Sequence, residues 1–157
     1  FNAATNLVWK TPLAPGHSSP VIAGDRIFLT TVESNRLVAV ALRRADGTPL
    51  WRVPVPTGAL EETHRTGSPA ASTPCADGRS VVFHFGSFGL LCLDHGGGEL
   101  WRHPLPPPNN DFGAATSPVI VDGKVILVRD EDADSWVAAF DLRTGKELWR
   151  TARPGFY

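Results

Sequence analysis

The chain of 157 residues has no methionine, one tyrosine and only two cysteines. Cys75 and Cys92 are too few for a disulfide-built scaffold, and they leave the redox compartment open. Charge of neither sign is in excess: 15 Lys and Arg against 16 Asp and Glu leave a formal net charge of -1. That excludes the clustered basic surface on which nucleic-acid phosphates are bound. No run approaches the roughly 18 apolar residues of a membrane span. No basic and then apolar leader opens the chain, which starts on Phe1. A sustained stripe at helical period is also missing, which excludes repeats built from paired helices. There is no glycine-rich phosphate loop opening a helix, no metalloprotease motif and no nucleophile elbow; Gly96–Gly98 reads as a hairpin turn.

What is present is punctuation and short apolar runs. Gly 15 and Pro 14 exceed the usual share of about 12% and fit many tight turns. The clearest unit is Thr116–Arg150. Its runs Pro118–Val121, Lys124–Val128, Trp136–Phe140 and Glu147–Arg150 are too short for helices and rich in Val, Ile and aromatics. Turns at Asp122-Gly123 and Thr144-Gly145 separate them, so four hairpin-linked strands are expected.

The same order of signals recurs twice upstream, over residues 18–52 and 72–102. Trp9, Trp51, Trp101 and Trp149 are spaced 42, 50 and 48 residues apart, and Gly47, Gly97 and Gly145 each stand four residues before a tryptophan. Ser/Thr-Pro pairs recur at Pro20, Pro74 and Pro118. Residues 6–13 read as the last strand of a preceding unit, and the whole of 1–157 as part of a longer chain. Four strands in roughly 40–50 residues is the period of a propeller blade. The fold class expected is therefore all-β, with four-stranded antiparallel blades.

Blades covered on both faces account for dense apolar runs such as Val125–Val128, in place of clean in-and-out alternation. Small residues (Ser18, Ser19, Thr73, Ser117) suit the crowded inner strand, and each tryptophan suits the widening space between blades. Three blades close no ring, so both lateral faces are expected to expose apolar surface and to favour association. Two long connections, Val53–Ala71 and His103–Ala115, follow equivalent strands and should emerge at one end.

Candidate chemistry lies in these loops. Glu61, Glu62, His64 and Arg65 combine carboxylates, an imidazole and a guanidinium, the types that build acid-base or metal sites; as a bland alternative they are the solvated part of a loop. With His17, Asn109, Asn110 and Asp111 they outline a polar ligand surface at the same end. Asp130, Asp132 and Asp134 alternate carboxylates on a hairpin and carry donors suited to Ca²⁺, although an exposed polar turn is the favoured reading; no metal site is assigned. His84, inside a strand, reads as a packed, hydrogen-bonded residue, and His95 as an exposed turn residue. Cys75 aligns with Val21 and Val119, and Cys92 with Ala41 and Ala139, which points to small buried residues. A Cys75–Cys92 bridge stays an alternative.

The segment Val137–Trp149, with Asp141, Gly145 and Trp149, resembles the tryptophan-docking repeat of the PQQ-like (quinoprotein-type) β-propellers. Cys92-Leu93-Asp94, Gly97 and Trp101 form a shorter version, and in the first repeat Arg43 replaces the aspartate. The resemblance covers nearly the whole chain. It implies about three blades of a seven- or eight-bladed ring, in an extracytoplasmic, periplasmic or envelope-associated protein. The family includes quinone-dependent dehydrogenases, which use adjacent cysteines and carboxylate and amide calcium ligands, and also assembly scaffolds that bind no cofactor. Cys75 and Cys92 are not adjacent. The function expected is thus a non-catalytic scaffold without cofactor that binds envelope protein partners and packs against further blades. The alternatives are part of a PQQ- and calcium-dependent dehydrogenase, and a carbohydrate-binding or sensor module.

Overall fold

The computed structural model describes residues 5–114 and 116–154. The ends of the chain and Ala115, with which the second insertion was expected to close, lie outside the described residues. Twelve strands form three sheets. The first holds β1 (Val21–Ala23), β2 (Arg26–Glu33), β3 (Arg36–Arg43) and β4 (Pro49–Pro54). The second holds β5 (Cys75–Ala76), β6 (Ser80–Phe85), β7 (Gly89–Asp94) and β8 (Glu99–Pro104). The third holds β9 (Val119–Val121), β10 (Lys124–Arg129), β11 (Trp136–Asp141) and β12 (Glu147–Ala152). Each sheet is an antiparallel meander in chain order. Among the described residues there is no helix, as the lack of a 3.6-residue stripe requires.

The three sheets share one register. Val21, Phe28, Ala41 and Trp51 line up across the first, Cys75, Val82, Cys92 and Trp101 across the second, and Val119, Ile126, Ala139 and Trp149 across the third. In each, pairing of the last two strands slips just after that row, between Ala41 and Leu42, Cys92 and Leu93, or Ala139 and Phe140. The extra residue is Leu50, Leu100 or Leu148. A bulge bends its strand and re-aims the neighbouring side chain, here the tryptophan beside it.

Burial follows from stacking. In the middle sheet Val81, Phe83, Phe85, Leu91 and Leu93 pack on the first sheet, together with Phe28, Ala39 and Ala41. Val82, Leu90, Cys92 and Trp101 pack on Val125, Leu127, Trp136, Ala138 and Phe140 of the third. Both faces of β6 are covered, so every residue in it is buried, and its sequence carries no alternation.

The sheets are locked by one repeated contact. Trp9 donates its indole N–H to the Arg44 carbonyl at 3.0 Å, Trp51 to His95 at 2.9 Å and Trp101 to Leu142 at 2.8 Å. Each ring lies on the glycine of the same turn, Gly47, Gly97 or Gly145, where an added Cβ would press into the indole. All three glycines have positive φ, so the residue must be glycine for its backbone as well as for the ring. The turn aspartates hold that turn: Asp94 accepts from the Gly98 N–H, and Asp141 from Arg143 and Thr144. Where Arg43 stands instead, Asp46 accepts from the Thr48 N–H and pairs with Arg43.

Three expectations need correction. Among the described residues no strand forms over residues 6–13 or pairs with them; the segment instead lies on the first sheet through Trp9. For the same reason that lateral face is covered, with Ile27, Val38, Val40 and Leu42 buried beside Trp9. The opposite face is open: Val119 is 55% and Trp149 45% exposed. His95 is half-buried rather than exposed, its ring 5.2 Å from that of Phe28.

Candidate functional site

The insertions after β4 and β8 fold onto one another. The Ala114 N–H donates to Glu61 Oε2 at 3.4 Å, Gly113 lies against Thr63, and the His64 and Phe112 rings are 6.2 Å apart. The β10–β11 hairpin joins them, since the Asp132 N–H donates to the Asn109 carbonyl at 3.0 Å. Asn110 Oδ1 caps the Phe112 and Gly113 N–H groups. This capping folds the loop back and leaves Phe112 71% exposed. Asn110, Phe112, Gly113, Thr116, Asp130, Glu131 and Asp132 line a cavity of about 310 Å³.

The inner edges of the sheets form a polar seam beside these loops. The Ser19 N–H donates to Thr73 Oγ1 at 3.0 Å, and the Thr73 N–H to Ser117 Oγ at 2.9 Å. The hydroxyls thus bridge consecutive sheets, a role that their recurrence before each inner strand allows. His17, exposed, donates its backbone N–H to the Ala70 carbonyl at 2.9 Å.

Of the residues singled out from the sequence, Glu61, His64, Asn109, Asn110 and the Asp130–Asp134 hairpin meet at this end. Glu62, Arg65, Asp111, Asp132 and Asp134 are exposed. The aspartates do not converge: Asp130 forms an ion pair with Arg153, and Asp134 sits at φ 61 on the open hairpin. Among the described residues no group of three His, Cys, Asp or Glu is arranged to hold a metal ion.

Beneath the loops lie buried polar groups. Glu61 rests in the space left by Gly86, where a Cβ would collide with its carboxylate, and by Gly113. Its Oε1 is buried without a hydrogen-bond partner. Burial pushes its carboxyl up to about 7, against the opposing pull of the Ala114 N–H and of Arg129. His84 is fully enclosed on β6. Its Nδ1 lies 3.1 Å from both Ser72 Oγ and the Thr116 carbonyl, and burial drives it down to about 4.

Arg129 is the functional-end residue that the sequence does not flag. It is 3% exposed, pairs with Glu131 and donates to the Pro106 carbonyl at 2.7 Å. Ending an apolar strand, it reads as a solvated tip; only the insertion above it makes it interior. Both cysteines are free, Cys92 buried and Cys75 partly so. Val82 separates them in the register, which rules out the bridge kept as an alternative.

Three four-stranded blades joined by indole-on-glycine docks, with insertions gathered at one end, define part of a β-propeller of the PQQ-like repeat class. A family model described as "Outer membrane protein assembly factor BamB" matches residues 2–156, and the chain belongs to that family. It is 32% identical over 133 residues to the outer membrane protein assembly factor BamB of Burkholderia pseudomallei (strain K96243), a match covering 82% of this chain and 31% of that protein. The chain thus spans about a third of the curated relative's length. Among solved structures, a quinohemoprotein alcohol dehydrogenase, ADHIIG from Pseudomonas putida HK5, superposes with a TM-score of 0.72 at 23% identity, over 96% of this chain and 23% of that one. BamB from Moraxella catarrhalis superposes with a TM-score of 0.55 at 17% identity, over 96% of this chain and 56% of that one. At these identities the structural likeness speaks to fold alone.

Proposed function

We propose that this chain is part of a non-catalytic propeller scaffold that presents its insertion-bearing end to a protein partner outside the cytoplasm, in the cell envelope. The observation that carries the reading is the built surface at that end. Two insertions and a hairpin are tied together, by the Ala114 N–H on the Glu61 carboxylate and by the Asp132 N–H on the Asn109 carbonyl, and they hold Phe112 out beside a carboxylate-lined cavity. An exposed aromatic within a polar rim is the composition of a protein-binding patch. The relatives named as outer membrane assembly factors support the setting. Packing of further blades on the open Val119–Trp149 face would complete the ring, and the scaffold reading needs neither quinone nor calcium.

The test is a photo-crosslinking residue in place of Phe112 in the full-length protein, irradiated in intact cells. A discrete adduct with an envelope protein, lost when the same group is moved to Asp122, supports the scaffold. Dye-linked alcohol oxidation on adding quinone and calcium would overturn it in favour of an oxidoreductase, and an adduct with glycan alone would favour a carbohydrate-binding module.

A further inference from the structure

Glu61 is a carboxylate that touches both insertions and a blade at once. Its own N–H donates to Ser87 Oγ at 2.8 Å in the β6–β7 turn, and its Oε2 accepts from Ala114 in the second insertion. Its carboxyl group fills a notch that exists because residues 86 and 113 have no side chain. We propose that Glu61 is a proton-operated latch that sets whether the two insertions stay closed on one another.

The geometry favours the neutral acid in the closed state. One oxygen has a single long hydrogen bond and the other has none, whereas a buried carboxylate needs several donors to offset lost hydration. The charged groups around it do not supply them. Arg129 on β10 attracts the anion, but its charge is already engaged by Glu131. His84 on β6 is held neutral by burial. The β6–β7 turn contributes only Gly86 and Ser87, and Asp111 on the facing insertion is exposed and of the wrong sign. On its own segment, Glu62 and Arg65 are exposed and opposite in charge, and His64 is engaged with Thr66. Raising the pH therefore charges a group that has nowhere to be solvated except outside. The closed loops lose ground to an open arrangement in which Glu61 reaches water and the Phe112 patch loses its support.

The direction follows from linkage. The carboxyl is raised in the closed state, so the closure it supports is complete below the ordinary carboxylate range and is lost as pH rises towards 7. Between pH 6 and pH 8 the opening equilibrium should increase several-fold, with about tenfold as the ceiling for a partly solvated group.

Amide hydrogen exchange of the whole chain, corrected for intrinsic rates, reads this directly at Glu61, Gly113 and Ala114. Protection of those amides should fall from pH 6 to pH 8 while that of β6 and β7 holds. The Glu61→Gln variant, neutral and of the same shape, should be equally protected at both values. Equal protection of the wild type at the two pH values, or a fall that persists in the Gln variant, would overturn the latch. A carbon-13 titration of the Glu61 carboxyl is a second reading, and a midpoint in the ordinary carboxylate range would overturn it too. None of these measurements involves a partner, so the latch can fail while the scaffold stands, and the reverse.

Discussion

The indole of Trp101 and the backbone of Gly145 are made for one another: the ring lies flat where a Cβ would be, and its N–H reaches the Leu142 carbonyl at 2.8 Å in the same turn. Trp101 is 7% exposed, so Trp101→Ala removes a large buried ring and a satisfied N–H together. A loss of about 3–5 kcal/mol is expected from urea denaturation. Gly145→Ala should cost at least about 1 kcal/mol, from the positive φ of 70 and from overlap with the ring. The two effects should not add in the double variant, because the methyl no longer meets an indole. Additive losses would show that the pair acts through separate contacts.

That pair also explains what could be read from the sequence. The spacing of Trp51, Trp101 and Trp149, with a glycine four residues before each, identifies the blades, because each of these glycines lies where the preceding tryptophan's ring leaves no room for a Cβ. Glu61 was legible only as a candidate in a polar loop, since its notch is made by Gly86 and Gly113, neither of which signals a contact with residue 61. Arg129 was not legible at all: it is the last residue of β10, and its burial there depends on an insertion about twenty residues upstream folding back over it. Residues 6–13 misled for the opposite reason. Their pattern is that of a final strand, and a strand exists only where a neighbour can pair with it.

Trp149 has the same place in its blade as Trp101 but no glycine turn over it among the described residues, and it is 45% exposed. Trp149→Ala should therefore cost about 1 kcal/mol or less, well below the Trp101 variant. The exposed row of Val119 and Trp149 should also make this chain self-associate with concentration. Val119→Lys should shift sedimentation towards the monomer, and an unchanged distribution would mean that this face is not the sticky one.

The cysteines give a chemical check on packing. Burial pushes both thiols up to about 12, so the reactive thiolate is scarce at pH 8. A thiol reagent should label the native chain slowly and both residues within the mixing time once it is unfolded. The native mass should be that of two free thiols. Rapid labelling of Cys92 without denaturant would mean that the second and third blades separate readily.

Acid should expose His84. Its folded value is depressed to about 4 from 6.5, so the unfolded chain takes up a proton first. The stability it lends is complete above 6.5 and is lost as pH falls towards 4, by about 3 kcal/mol at most. Glu61 acts in the other direction: its raised value means that stability is regained as pH falls from 7 through the carboxylate range. Between about pH 4.5 and 6.5 the two contributions oppose each other, and the wild-type stability should change little with pH. Glu61→Gln removes the gain and leaves the His84 loss, so its stability should fall more steeply with acid than that of the wild type. His84→Gln removes the loss and should become more stable over the same interval. Urea midpoints at half-unit steps of pH would separate the two slopes, and parallel curves for all three chains would refute the assignment of either group.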